Sequence, residues 1–291
     1  MVSTNCHRYI YLWVKFNTTG QIFCQCQAQF NMTEQLTFIQ HWELIVLFFF
    51  IAALYASVGF GGGSSYLAIL ALFGVNFLLT RSTALFCNIT VVTSGVYIFY
   101  KNGHLDLRKA LPLTIASVPL AFVGGYLPIQ EKYFFILLGT ALLIAAVLTW
   151  VQPPFKSLAP PIPAAPEISK SNFRNLVIGG SIGLLSGIVG IGGGIFLAPV
   201  LYLTRWAEPK TVAATSSLFI LLNSISGLAG QMAKPGFIMD WQFVLPLMLS
   251  VFLGGQLGAR FAANRLPSLW VRRATALLIF YVSIRLVLKY L

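Results

Sequence analysis

Apolar runs, interrupted by glycine, proline or a few charges, fill the chain from Trp42 to its end. They fall at 43–59, 64–79, 84–100, 110–128, 133–151, 175–191, 194–204, 211–232, 241–262 and 270–290. Most reach the roughly 17–25 residues with which a helix crosses a bilayer. The second and seventh are short, and each follows a glycine cluster. Residues 152–172 form a polar connector whose prolines argue against helix and for a semi-extended chain. Residues 1–41 are a polar tail without the compact apolar core of a signal peptide. The organisation predicted is a tail at 1–41, a first transmembrane repeat at 42–151, a linker at 152–172 and a second transmembrane repeat at 173–291.

The two halves repeat. Gly59-Phe60-Gly61-Gly62-Gly63 matches Gly190-Ile191-Gly192-Gly193-Gly194, and Leu85-Phe86 matches Leu218-Phe219. Gly103, Asp106 and Leu111-Pro112 match Gly236, Asp240 and Leu245-Pro246; Gly124-Gly125 matches Gly254-Gly255. Ordered matches at a near-constant offset of about 130 residues are the mark of an internal duplication.

Composition agrees with a membrane protein. Only 9% of residues are charged and 57% are hydrophobic, against about 25% charged in a soluble domain. Mean hydropathy is +0.81, so the apolar surplus has to face lipid. The net charge of +12 orients the chain and points to no nucleic acid, because no basic face interleaved with aromatics accompanies it. If all ten segments cross, one side carries Lys101, Arg108, Lys109, Lys156, Lys170, Arg174, Arg205, Lys210, Arg260, Arg265, Arg272 and Arg273. The opposite loops carry Arg81, Lys132 and Lys234. If the two short segments are instead re-entrant and do not cross, this asymmetry vanishes, so positive-inside bias favours ten crossings. Five per half is odd, which inverts the second half relative to the first and turns both termini outward. The predicted fold is therefore an all-α polytopic protein of two inverted repeats, multi-pass in the cell membrane, with glycine-broken helices at equivalent positions.

Broken helices at a repeat interface are how many secondary transporters build a substrate site. Glycine lets the backbone approach a ligand, and the helix that follows starts with free N–H groups and partial positive charge. Such a terminus binds anions. Close helix packing is the other use of membrane glycines, and it is the reading preferred for Gly124-Gly125 and Gly254-Gly255. Neither cluster is a nucleotide loop, since no lysine followed by Ser or Thr comes after it.

On the residues Gly59-Phe60-Gly61-Gly62-Gly63-Ser64-Ser65, Gly190-Ile191-Gly192-Gly193-Gly194…Pro199 and Ala213-Ala214-Thr215-Ser216-Ser217-Leu218-Phe219, the chain resembles the sulfite exporter TauE/SafE-like permeases, also called the toluene-sulfonate uptake permease family. The resemblance covers about residues 42–290 and implies transport of small sulfur-containing anions, sulfite or organosulfonates. One departure is that Ser64-Ser65-Tyr66 stands where the second half has Ile195 to Pro199.

Candidate substrate contacts are Gly59, Gly61, Gly62 and Gly63, with Ser64 and Ser65 behind them, and Gly190, Gly192, Gly193 and Gly194. Asn88, Thr215, Ser216 and Asn223 add neutral hydrogen-bonding groups; in membrane helices such residues also serve neighbouring helices. Arg81 is a candidate for attracting an anion or guarding an entrance, with a snorkelling interfacial arginine as the alternative. Acidic residues and histidines sit in tails, loops or segment ends, so no midplane proton relay is expected. Anion efflux from a negative-inside cell then runs downhill by about 2.3 kcal/mol per charge per 100 mV. Cysteines and histidines lack zinc spacing; neither cofactor nor metal is expected. A membrane enzyme would want an intramembrane His, Asp, Glu or metal cluster, and a non-transporting assembly subunit would have no use for paired glycine breaks. The expected partners are a small anion and the bilayer.

Overall fold

In the computed structural model the described residues are 42–56, 60–151, 168–204, 206–237 and 239–262, with separate helical positions between 273 and 288. Among them there is no strand. The helices are α1 (Trp42–Ala56), α2 (Gly63–Leu72), α3 (Phe77–Lys101), α4 (Leu107–Tyr126), α5 (Glu131–Val151), α6 (Ile168–Val189), α7 (Gly194–Leu203), α8 (Pro209–Met232) and α9 (Trp241–Ala262). The described residues from Leu44 onward form one compact unit. The predicted tail and most of the predicted linker lie outside the described residues. Helix α6 starts at Ile168, inside the span read from its prolines as linker: the last of them is Pro166, and beyond it nothing opposes a helix.

Local chemistry explains several helix starts. Asp106 Oδ1 accepts from Arg108 N (3.1 Å) and Lys109 N (3.3 Å) at the head of α4. Its duplicate Asp240 accepts from Gln242 N (3.0 Å) and Phe243 N (3.2 Å) at the head of α9. Each fills orphan donors and places negative charge at a helix N-terminus. Asn76 caps α3 by accepting from Leu78 N, and α8 opens on Pro209, where a missing N–H is harmless.

Among the described residues five helices, α3, α4, α5, α8 and α9, are long and apolar enough to cross a membrane. Phe50, Leu111, Ile144 and Leu249, each more than half exposed, cover their outer surfaces with hydrocarbon. The expectation of ten crossings needs correction at the two short segments. Helices α2 and α7 have 10 residues each, or about 15 Å of rise, half of a hydrocarbon core of about 30 Å. Each turns back along the helix before it. Phe48 of α1 stacks on Tyr66 of α2 (4.7 Å between ring centroids), and Tyr55 and Ser65 share a hydrogen bond of 2.8 Å. In the second half Ile191 N donates to Ser186 O, and Ile182 of α6 packs on the cluster holding Leu197 and Leu201 of α7. The basic-residue count could not see this. A helix pair that enters and leaves on one side keeps every later loop where two full crossings would put it.

Small residues close the helix interfaces. On α6, Gly179, Gly183 and Gly187 lie against the backbone of Leu113, Ser117 and Ala121 on α4; a Cβ on Gly183 would stand 2.5 Å from Ser117 O. On α9, Ser250 donates to Ile45 O, while Gly254 and Gly258 lie against Phe49 and Ala53 of α1. Both series step by four residues in the same sense, so α4 runs parallel to α6 and α9 parallel to α1. Gly124, Gly125 and Gly254 thus pack backbone on backbone, as small residues do in lipid. The contacts are matched between the halves: α4 packs on α6 and α8, and α9 on α1 and α3.

Candidate functional site

The glycine clusters break the helices by the same geometry. Gly62 caps α2 with φ 81° and ψ 3°; Gly193 caps α7 with φ 80° and ψ −12°. An L-residue held there costs roughly 1–2 kcal/mol. Gly62 O accepts from Ser65 N (2.9 Å) and Tyr66 N (3.1 Å), and Gly193 O accepts from Phe196 N and Leu197 N (both 3.1 Å). Glycine offers no capping side chain, and among the described residues no side-chain cap bond is made at either end. The first-turn N–H groups therefore keep the partial positive charge of an uncapped terminus.

Asn88, midway along α3, joins the two breaks. Its Nδ2 donates to Ile191 O at 2.8 Å. A Cβ on Gly61 would stand 2.5 Å from Asn88 Oδ1, and one on Gly192 would stand 3.1 Å from its Nδ2. Gly63 is as close to the same amide. The carboxamide thus fits only because these positions carry no side chain. A cavity of about 40 Å³ opens here, lined by Gly61, Gly62, Gly63, Ser64 and Asn88 from the first half and Ile191, Gly194, Ile195, Pro199 and Ile220 from the second. Tyr55, Phe60, Thr149 and Ile279 complete it. That is roughly three times the minimum that admits one water, enough for a solute of a few heavy atoms. Its walls are chiefly apolar, so polar recognition falls to Asn88, Ser64, Thr149, Tyr55 and the backbone.

Several buried polar atoms at the breaks have no protein partner among the described residues: Asn88 Oδ1, Tyr66 OH, Ser186 Oγ and Ser224 Oγ. Tyr66 OH would lie 3.0 Å from a Cβ on Gly62, and Ser224 Oγ 2.6 Å from one on Gly192. Buried polar groups are normally paired, so these are groups with bonding capacity to spare.

The predicted site residues divide. Gly61, Gly62, Gly63, Ser64, Asn88 and Gly194 line the cavity. Gly190, Gly192 and Gly193 form the second break, each with positive φ. Gly59 lies outside the described residues. Ser65 points to Tyr55. Thr215 and Ser216 are buried in α8, their hydroxyls without a partner among the described residues, and do not line the cavity. Asn223 is committed to the α4–α8 interface, accepting from Ser117 Oγ and donating to Phe219 O. Arg81 is only 1% exposed, which removes the snorkelling alternative. Its Nη2 donates to Gly187 O at 3.1 Å, and its Cζ stands 5.4 Å over the Phe134 ring.

Tyr55, Tyr66, Ser186 and Ser224 escaped the sequence reading. A signal for Ser224 existed. Ser216 O and Ile220 approach Gly194, and Ile220 and Ser224 approach Gly192. Residues four apart share a helix face, so Ser224, not Asn223, continues the stripe facing the break. Among the described residues no group of three or more His, Cys, Asp or Glu is placed to hold a metal.

Comparison with known proteins adds three findings. A family model described as "Sulfite exporter TauE/SafE" matches residues 44–286. A probable membrane transporter protein of Sinorhizobium fredii is 33% identical over 248 residues, 84% of this chain and 96% of the relative. A probable membrane transporter protein of Bacillus subtilis is 22% identical over 234 residues, 79% of this chain and 94% of the relative. No solved structure matches the chain at a significant level.

Proposed function

We propose that this chain, which belongs to the sulfite exporter TauE/SafE family, is a secondary permease for small sulfur-containing anions such as sulfite, built as two inverted halves and working in the direction of export. One observation carries the proposal: two half-helices that begin at glycine bring N-termini without a side-chain cap to one small cavity, with Asn88 bonded across them. A carboxamide N–H, hydroxyls and backbone amides in apolar surroundings favour an anion, and a lining without a fixed cation among the described residues permits its release. The volume of about 40 Å³ favours an inorganic oxyanion over a bulky organosulfonate.

Inversion is supported by helix directions. Helix α1 runs parallel to α9, and its counterpart α6 runs parallel to α4, the counterpart of α9. Helix α1 is antiparallel to α2, α2 folds back along α3 through a short turn, and α3 reverses into α4. The first and fourth helices of one half therefore oppose each other, and the two halves run in opposite senses. The loops after α3, α7 and α9, with the linker, carry most of the basic residues and are placed in the cytoplasm. Both termini then lie outside the cell.

The described carboxylates Glu43, Asp106, Glu131, Glu208 and Asp240 stand at or beside helix ends. Transport without side-chain proton coupling follows, driven outward by membrane potential. The test is sulfite flux in proteoliposomes under a clamped potential. Flux should rise with a potential that drives the anion and ignore an imposed pH gradient. Flux that follows pH and disregards voltage would refute transport without proton coupling. A protein stabilised in detergent by cations alone, in a panel of sulfite, thiosulfate, carboxylates and cations, would refute the anion site.

A further inference from the structure

Arg81 is the largest side chain buried to this degree among the described residues. A buried guanidinium is always charged and costs a great deal in free energy unless a countercharge meets it. Here its polar partner is a neutral carbonyl, Gly187 O, its apolar neighbour is the Phe134 ring, and its Nε donates to nothing among the described residues. The one ion pair found among those residues, Lys109–Asp106, is elsewhere. Arg81 does not line the cavity. It lies about two turns before Asn88 on α3, beside Gly190, whose added Cβ would stand 3.5 Å from Arg81 Cβ. Phe77, one turn earlier, pairs with Phe134 at 6.0 Å between centroids and stands between Arg81 and the turn at 73–76. Lys234, after α8, is partly buried nearby; burial first, then the charge of Arg81, hold its ammonium below the ordinary lysine value. The second half has no equivalent, since Leu85-Phe86 aligned on Leu218-Phe219 sets Ala214 where Arg81 stands.

We propose that Arg81 forms a second anion site, separate from the cavity and present on one side of it only, in which the passing anion replaces Gly187 O as the partner of the guanidinium. The inference rests on the anion permease proposed above. The site lies toward the 73–76 and 127–130 turns, the side with few basic residues, so on export the anion meets it after the cavity. Binding there frees the carbonyl at the tip of the α6–α7 pair, and the second glycine break loosens when the anion has moved past it. An anion thus trades one charge-assisted contact for another instead of leaving directly into lipid-depth surroundings.

The test is equilibrium binding of labelled sulfite to the full chain in detergent, with flux in proteoliposomes. Wild type should bind two sulfites per chain. Arg81→Gln should bind one, at the cavity, with flux reduced at least about tenfold, the loss of one charge-assisted contact. Arg81→Lys should keep both, the second weakened by about tenfold, because the charge stays while the fork geometry goes. Should Arg81→Gln not fold, Phe134→Leu carries the test: it removes the ring behind the guanidinium and should weaken the second sulfite by about fivefold, a cation–π loss, leaving the first unchanged. A single sulfite on wild type, or two undiminished on a folded Arg81→Gln or Phe134→Leu, overturns the second site and leaves the cavity standing. A folded wild type that binds no sulfite overturns the anion permease and this site together.

Discussion

Asn88→Asp changes one amide nitrogen to oxygen at the point where the two helix breaks meet. Two costs follow. Asn88 Nδ2 donates to Ile191 O at 2.8 Å; an acceptor in its place leaves a buried carbonyl unpaired, about 1–3 kcal/mol. An ionised carboxylate about 4 Å from a bound monoanion adds repulsion of about 4 kcal/mol at an effective dielectric constant of 20. The electrostatic part alone corresponds to a loss of affinity of more than about 100-fold. The assay is a sulfite titration of thermal unfolding in detergent, wild type against variant, with equilibrium binding as the direct measure. Asn223→Asp is the control. Asn223 is also fully buried, but it serves the α4–α8 interface. That variant should lower the melting temperature and leave the sulfite midpoint in place. Binding by Asn88→Asp within threefold of wild type would refute the placement of the anion beside Asn88. Equal losses in both variants would show that any buried aspartate disrupts the protein and that Asn88 is not special.

Other substitutions separate packing from binding. Gly192→Ala forces an L-residue to φ near 82° and sets a methyl 2.6 Å from Ser224 Oγ; it should cost at least about 1–2 kcal/mol and abolish sulfite-dependent stabilisation, measured by the same titration. Gly183→Ala meets the Ser117 backbone at 2.5 Å. It should destabilise by about 1–3 kcal/mol through overpacking, with sulfite affinity kept in whatever fraction folds, as read by thermal unfolding and binding. Ser250→Ala removes the bond to Ile45 O and should cost about 0.5–1.5 kcal/mol with flux unchanged. Asp106→Ala strips the cap from α4 and should cost about 0.5–2 kcal/mol, again without moving the sulfite midpoint.

Glycine was the most informative letter in the chain, because its role is local. A run of glycine ends a helix wherever it falls, and the repeated clusters foretold two equivalent breaks; Gly62 and Gly193 adopt nearly the same left-handed geometry. Asp106 and Asp240, matched in the sequence only as repeated letters, turn out to cap the starts of α4 and α9. The serines, threonines and asparagines were harder. Each hydrogen-bonds equally well across a cavity, across a helix interface or to its own backbone, and helix rotation decides which. That is why Asn88 meets the cavity while Asn223 meets Ser117, and why Ser224, never singled out, stands at Gly192.

Alone, the order of residues determined that the chain is helical, membrane-embedded and interrupted by glycine at two similar clusters, since hydropathy and backbone freedom are properties of short stretches. Only the tertiary structure decided that α2 and α7 reach half-way and turn back, that the two breaks share one cavity, and that Arg81 is buried without a countercharge among the described residues. Those outcomes depend on which surfaces meet across more than a hundred residues of chain. Helix directions and side-chain rotations set by packing govern them, and no local pattern encodes either.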